Sequence, residues 1–297
     1  MTEPQTLTAE PMTRTLDVPG AVLTYDVRLN DTTSEPPLFL IGSPMGATGF
    51  GTLAGYFPER TVITYDPRGA ERSEKADPTT ESTPDQHADD LHQIISHVGG
   101  PVDLFASSGG AVNALALVAK YPEDVRTLVA HEPPSASVLP DRENAQAAAR
   151  AINETYKKSG WGAGMAHFIA VVSHEGPFPD DYASGPAPDP QMFGMPAEDD
   201  GNRTDVMLAQ NIVTCTHYEY DFGSLQKAPT RIVMAAGANG IGTMANRGAL
   251  GVAERLGTKP AIFPGDHGGF LGGEYGQPPG EPEPFAAKLR EVLAANS

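Results

Sequence analysis

The sequence of 297 residues is short of cysteine and of positive charge. Its one cysteine, Cys215, cannot form a disulfide within the chain. The 20 lysine and arginine residues are outnumbered by 38 aspartate and glutamate residues, which gives a net charge of −18. A surface of this sign repels phosphate backbones and anionic lipid headgroups. We therefore expect neither a nucleic-acid partner nor a membrane partner.

Long apolar runs and a secretory leader are also missing. Residues 1–19 contain no basic segment followed by an apolar one, so the sequence predicts a cytoplasmic protein. No stretch approaches the roughly 20 apolar residues that a membrane-spanning helix needs. The hydrophobic content of 39% is nevertheless enough for a sizeable core. These limits leave a globular protein, whose length fits one large α/β domain or two small ones, and they do not indicate its oligomeric state.

Short apolar runs alternate with helical patterns along much of the chain. A hairpin is predicted at 15–18 and 22–27, followed by buried strands at 37–41, 62–65, 102–105, 127–130, 231–234 and 261–263. Helices are predicted at 84–98, 111–121, 244–256 and 284–294. The order predicts a mostly parallel central sheet flanked by helices.

Residues 135–228 interrupt this rhythm with helical patterns at 145–158, 163–172 and 202–214 and with a loop rich in Pro, Gly and Asp. We interpret this segment as a helical lid inserted into a core made of 1–134 and 229–297. It holds an unusual share of the large adaptable side chains: Trp161, Met165, Met192, Met195 and Met207. These suit either an apolar pocket wall or the insert's own core.

A serine stands where a predicted strand turns into a helix, within residues 104–111. Ser108 is flanked by small residues, as a sharp turn requires, and this is the pattern of a nucleophile elbow. Ala106 occupies the place of the first glycine in G-x-S-x-G. An ordinary strand-to-helix turn would have the same composition, so the choice between the two interpretations depends on the rest of the chain.

A serine nucleophile needs a histidine base. His267 follows the last predicted strand in a loop of small residues, which leaves its ring unobstructed, and we take it as the base. His87, His92 and His97 share an acidic helix and are predicted to be solvent-exposed.

The base needs an orienting group, and three residues compete for this role. Glu132 follows the strand at 127–130 and carries the charge that stabilises an imidazolium, so it is preferred. Asn239 follows the strand at 231–234 and has no charge. Asp266 precedes His267 directly, and neighbouring loop residues readily point apart. For the oxyanion we expect the backbone N–H groups of Gly109 and Ser43.

Four stretches together resemble the α/β-hydrolase fold family, in its lidded subgroup, over roughly residues 15–295. They are Ile41–Pro44 as the oxyanion loop, Asp66–Gly69 as a D-x-R-G turn, Ala106–Gly110 as the elbow and Asp266–Phe270 as the histidine loop. Ile41 replaces a histidine that is usual in the family, and Asn239 stands where its acid is commonest. Some members, such as haloalkane dehalogenases with a glutamate, carry the acid after the strand that follows the elbow helix, which is the place of Glu132.

The resemblance implies a serine hydrolase that cleaves an ester, lactone, thioester or related acyl bond of a small apolar substrate, without a cofactor or metal. The alternatives are a ligand-binding protein without catalysis, a cofactor-free perhydrolase or acyltransferase, and a C–C hydrolase. Residues 237–242 resemble the glycine-rich turn of a dinucleotide-binding fold, but too little chain follows them to build one. Ser108 argues against the epoxide hydrolases and dehalogenases, which attack with aspartate. His131 and Glu132 lack a second histidine at metal-ligand spacing.

Overall fold

The computed structural model describes residues 10–276 and 278–295. Its strands are β1 (Met12–Val18), β2 (Ala21–Arg28), β3 (Leu38–Ile41), β4 (Val62–Asp66), β5 (Glu74–Lys75), β6 (Val102–Ser107), β7 (Val125–His131), β8 (Arg231–Gly237) and β9 (Ala261–Phe263). Its helices are α1 (Gly51–Gly55), α2 (Pro84–Val98), α3 (Gly109–Lys120), α4 (Arg142–Val172), α5 (Ile212–Thr216), α6 (Phe222–Lys227), α7 (Met244–Leu256) and α8 (Pro282–Ala294). The predicted core segments reach residues 1 and 297, so their outermost ends lie outside the described residues.

The strands form one sheet in the order β1-β2-β4-β3-β6-β7-β8-β9, with β5 paired to β2. The hairpin of β1 and β2 is antiparallel, and β2 joins β4 in the same sense. From β4 through β3 to β9 every pairing is parallel. The predicted α/β fold is confirmed. Because the strands run parallel, the loops after β6, β7, β8 and β9 meet at one edge of the sheet.

Alternate residues of the central strands pack against different helices. In β6, Leu104 joins an apolar cluster with α2 and α3, whereas Phe105 joins a second cluster with α1 and α8. Thr83 caps the start of helix α2, where its side chain accepts a hydrogen bond from the Gln86 N–H. Its inward face buries His87, so the expectation that this histidine is exposed is wrong. Burial lowers the pKa of His87 to about 3.

The segment 135–228 has its own apolar cluster, centred on α4. Helix α4 contains two helices that meet at Gly160, whose φ of 84° only glycine adopts readily. The third predicted helix begins later than expected. Asn202 accepts the Thr204 N–H and Asp205 accepts the Leu208 N–H, and residues 202–205 stay outside the helix. One π-helical turn, Met207–Asn211, then leads into α5.

The turn after β4 is fixed by buried charges. Arg68 forms two hydrogen bonds with Asp90 of α2, at 2.7 and 2.5 Å, and both side chains are at most 2% exposed. Asp66 accepts the N–H of Ala47 at 2.8 Å, which ties this turn to the loop after β3. None of the helices in the described ranges combines the length and apolar composition needed to cross a bilayer.

We expect Asp90→Ala to lower the free energy of unfolding by about 3–5 kcal/mol, because it leaves the buried Arg68 guanidinium without its carboxylate. Urea unfolding followed by circular dichroism measures this. Glu291→Ala, which breaks the exposed pair with Lys288, is the control and should cost less than about 1 kcal/mol. A loss for Asp90→Ala as small as that of the control would show that the buried pair does not hold this turn.

Candidate active site

Ser108 sits at the sharp junction between β6 and α3. Its backbone has φ 58° and ψ −129°, a conformation that a residue with a side chain adopts only under constraint. The constraint comes from both sides of the turn. The Ser108 N–H donates to the His131 carbonyl at 2.9 Å, and helix α3 starts at the next residue. This is the backbone geometry of a nucleophile elbow.

The first turn of α3 lies against the loop after β3. A Cβ atom at Gly109 would approach the Ser43 carbonyl oxygen to 2.5 Å, and one at Gly110 would approach the Gly42 Cα to 2.8 Å. Both glycines are therefore required by close backbone approach. Gly109 is the first residue of α3, so helix geometry provides no acceptor for its N–H. Ser43 and Gly109, the predicted oxyanion residues, lie side by side.

His267 and Glu132 form a hydrogen-bonded pair. The His267 Nδ1 lies 2.9 Å from Glu132 Oε2, and the imidazole is 46% exposed whereas the carboxylate is 1% exposed. The other carboxylate oxygen accepts the Gly237 N–H at 2.8 Å and the Asn246 Nδ2 at 3.0 Å. With Nδ1 engaged, Nε2 is the ring nitrogen available for proton transfer.

The charge state of Glu132 follows from its partners. Burial alone would raise its pKa, but the hydrogen bond and charge of His267, with the Asn246 amide, outweigh burial and lower the pKa to about 2. The glutamate is therefore ionised throughout the neutral range. Of the two competing candidates, Asp266 is exposed and accepts the Gly268 N–H, and Asn239 is exposed.

Sequence reasoning missed two residues around this pair. Asn246 comes from the first turn of α7, and nothing in the helical pattern distinguishes it. His131 is fully buried beneath the site, where its ring stacks on that of His267 with centroids 6.0 Å apart. Burial lowers the pKa of His131 to about 3, so it is neutral. Its Nδ1 contacts the Ser107 hydroxyl at 3.2 Å.

Ser108 and His267 line the same cavity, whose volume is about 590 Å³. The core contributes one wall, which contains Ser43, Ser108, Gly109 and His267. The segment 135–228 contributes another part of the wall, which contains Phe168, Val171, Met207, Asn211, Ile212 and Cys215. Within the described part of the chain no lysine or arginine lines the cavity, and Asp266 supplies its one carboxylate.

The large side chains of the insert divide between two roles. Met207 lines the cavity and also packs against the insert's own apolar cluster, whereas Trp161 and Met165 pack against that cluster and do not line the cavity. Met192 is 81% exposed and Met195 is half-buried in the loop. Among the described residues, no three His, Cys, Asp or Glu side chains converge on a point where a metal ion could bind.

Comparisons of sequence and of structure both find hydrolases among the proteins similar to this chain. Residues 39–156 match the family model of the alpha/beta hydrolase fold. The uncharacterized hydrolase YraK of Bacillus subtilis (strain 168) is 30% identical over 263 residues, which cover 86% of this chain and 89% of that protein. A thermophilic esterase from Thermogutta terrifontis superposes with a TM-score of 0.63 at 18% identity, covering 96% and 98% of the two chains. A putative aryl esterase from Burkholderia cenocepacia gives 0.64 at 18% identity, covering 95% and 98%.

The lowered pKa of Glu132 makes a prediction about stability at acid pH. Because the pKa falls from the ordinary 4.5 to about 2 on folding, the unfolded chain takes up the proton first as pH falls. The stability that the ionised carboxylate contributes is present above about pH 4.5 and is lost between there and pH 2. Between pH 5 and pH 3 we expect the wild type to lose roughly 2 kcal/mol more than Glu132→Gln, measured by urea unfolding. Parallel curves for the two proteins would contradict this.

Proposed function

The chain belongs to the α/β hydrolase fold family, and we propose that it is a serine hydrolase acting on an ester, lactone, thioester or related acyl bond of a small uncharged substrate. The observation that carries the proposal is the Glu132–His267 hydrogen bond of 2.9 Å, whose histidine lines the same cavity as Ser108. Nucleophilic catalysis by serine needs this set of groups: a hydroxyl, a base and an orienting carboxylate.

In the proposed acylation step, the Ser108 Oγ attacks the carbonyl carbon and its proton passes to the His267 Nε2. Glu132 holds the ring through Nδ1 and stabilises the imidazolium that forms. The carbonyl oxygen becomes an oxyanion that accepts hydrogen bonds from the backbone N–H groups of Ser43 and Gly109. As the intermediate collapses, the bond to the leaving alcohol or thiol breaks and His267 returns the proton to it.

The acyl-enzyme is then hydrolysed by the same groups in reverse roles. His267 takes a proton from water, and the hydroxide attacks the acyl carbon. The bond to the Ser108 Oγ breaks, and the serine regains its proton from His267. The acid leaves and the free enzyme is restored. The large apolar share of the cavity wall fits a substrate whose acyl group is held by packing rather than by charge.

Ser108→Ala is expected to reduce kcat/KM for p-nitrophenyl butyrate by at least about 10³-fold, because it removes the nucleophile while leaving the fold intact. The adjacent Ser107→Ala is the matched control. Ser107 is buried and contacts His131 rather than the cavity, so we expect its kcat/KM to fall less than about tenfold. Ester hydrolysis followed at 405 nm gives both values. Retention of activity in Ser108→Ala would overturn the proposal, and an inactive wild type that resists fluorophosphonates would favour the ligand-binding alternative.

The charges around the cavity predict which acyl groups are accepted. A carboxylate on the substrate would meet Asp266 and a protein of net charge −18, with no lysine or arginine in the described cavity wall. We expect kcat/KM for the p-nitrophenyl ester of monomethyl succinate to exceed that for p-nitrophenyl hemisuccinate by at least about tenfold, which corresponds to 1.4 kcal/mol. Asp266→Asn and added salt should each lower this ratio of the two kcat/KM values. A preference for the charged ester would contradict the proposed substrate class.

A further inference from the structure

The π-helical turn Met207–Asn211 is held more firmly than a surface helix end. Asn153 of α4 donates its Nδ2 to the carbonyl oxygens of Leu208 and Ala209, both at 2.7 Å. A π-helical turn redirects its carbonyls away from the regular helix pattern, and such turns are frequent at functional sites. The buried amide of Asn153 satisfies two of these carbonyls from inside the insert.

A second set of contacts ties the same turn to the core. The Gln210 side chain donates to the Thr80 carbonyl at 2.7 Å and accepts the Ser82 N–H at 3.0 Å. At the start of the turn, Asp205 accepts the Leu208 N–H at 2.8 Å. The turn is therefore fixed both to α4 and to the loop before α2. The last residue of the turn is therefore held in a defined position relative to the group that it contacts.

That last residue is Asn211, and it contacts the oxyanion loop. Its Nδ2 donates to the Ser43 Oγ at 2.9 Å, across 168 residues of sequence. Both residues are buried, at 7% and 4% exposure, and both line the cavity. The amide also lies over the elbow helix, because a Cβ at Gly109 would come within 3.1 Å of the Asn211 Oδ1. Asn211 thus contacts Ser43 and lies close to Gly109, the two predicted oxyanion residues.

The direction of this hydrogen bond decides where the Ser43 hydroxyl hydrogen goes. A hydroxyl has one hydrogen and two lone pairs. Since the Ser43 Oγ accepts from Asn211, its own hydrogen is available to another acceptor. Among the described residues the structure gives this hydroxyl no acceptor, and it borders the cavity. A substrate carbonyl oxygen held by the Ser43 and Gly109 N–H groups would lie within its reach.

We propose that Asn211 is a positioning residue that aims the Ser43 hydroxyl at the substrate carbonyl, so that the oxyanion receives a side-chain donor besides the two backbone N–H groups. This inference rests on the proposed serine-hydrolase function. It assigns the insert a part in transition-state stabilisation, because the donor is aimed by a residue of the insert. A donor fixed before the reaction stabilises the oxyanion without any reorganisation when the charge develops.

A double-mutant cycle with p-nitrophenyl butyrate tests the inference. Ser43→Ala removes the hydroxyl and keeps the backbone N–H, and we expect it to lower kcat by about 10–100-fold with KM changed less than threefold. Asn211→Ala should lower kcat by a similar factor. The double variant should be no slower than Ser43→Ala alone, because Asn211 acts through that hydroxyl.

Asn211→Asp reverses the hydrogen bond without changing the side-chain shape. A carboxylate can only accept, so it would draw the Ser43 hydrogen away from the substrate and place a negative charge near the oxyanion. We expect a larger loss of kcat than for Asn211→Ala. Asn144→Ala is the matched control, since this asparagine of the same segment donates to the Phe178 carbonyl and to Asp180 and contacts neither Ser43 nor the π-helical turn; its kcat should stay within about threefold of the wild type.

Each outcome separates the inference from the function on which it rests. Full activity in Ser43→Ala, or losses in Asn211→Ala and Ser43→Ala that multiply in the double variant, would overturn the positioning role. An Asn144→Ala loss equal to that of Asn211→Ala would show that the segment acts through its own packing alone. Retained activity in Ser108→Ala would instead refute the proposed function. If Asn211→Ala fails to fold, Ser43→Ala and Asn211→Asp, judged by circular dichroism and kcat, still decide the matter.

Discussion

The hydrogen bonds of the Glu132 carboxylate hold the candidate site together. This side chain is buried at the end of β7 and accepts three hydrogen bonds, from the His267 ring, from the backbone of Gly237 and from the Asn246 amide. The donors belong to the loop after β9, to the end of β8 and to α7. A buried carboxylate persists only where such partners replace water. One charge therefore joins three segments and orients the imidazole, while the stacked neutral ring of His131 supports it from below.

The core and the insert contribute different properties to the cavity. The core supplies the groups that the proposed chemistry requires, each at the carboxyl end of a parallel strand: Ser43, Ser108, Glu132 and His267. The insert supplies part of the apolar wall and, through the π-helical turn, a contact with Ser43. The insert therefore does more than line the cavity, because its Asn211 side chain donates a hydrogen bond to Ser43.

The sequence predicted the central strands, the helices that flank them and the edge at which the loops converge, because hydrophobic periodicity reports directly on burial. It also singled out Ser108, Glu132 and His267, whose places after strands bring them together in a parallel sheet. It did not predict the roles of Asn246, Asn211 or His131. These depend on which helix face meets which loop, and such contacts between distant segments leave no local pattern. His87 was wrongly expected to be exposed, although it lies four residues before Leu91 on the buried face of α2. Asn202 and Asp205 delayed a predicted helix through side-chain hydrogen bonds.

The central claim is that Ser108 is the nucleophile, activated by a histidine that Glu132 orients. Its most direct test locates the covalent bond. The wild-type protein is treated with a fluorophosphonate, digested and analysed by peptide mass spectrometry. The account predicts that Ser108 is the single phosphonylated residue. It also predicts that Glu132→Gln is labelled more slowly than the wild type, because the imidazolium loses its stabilising charge. Modification of Ser43 or Cys215 in place of Ser108, or equal labelling rates for the two proteins, would contradict it.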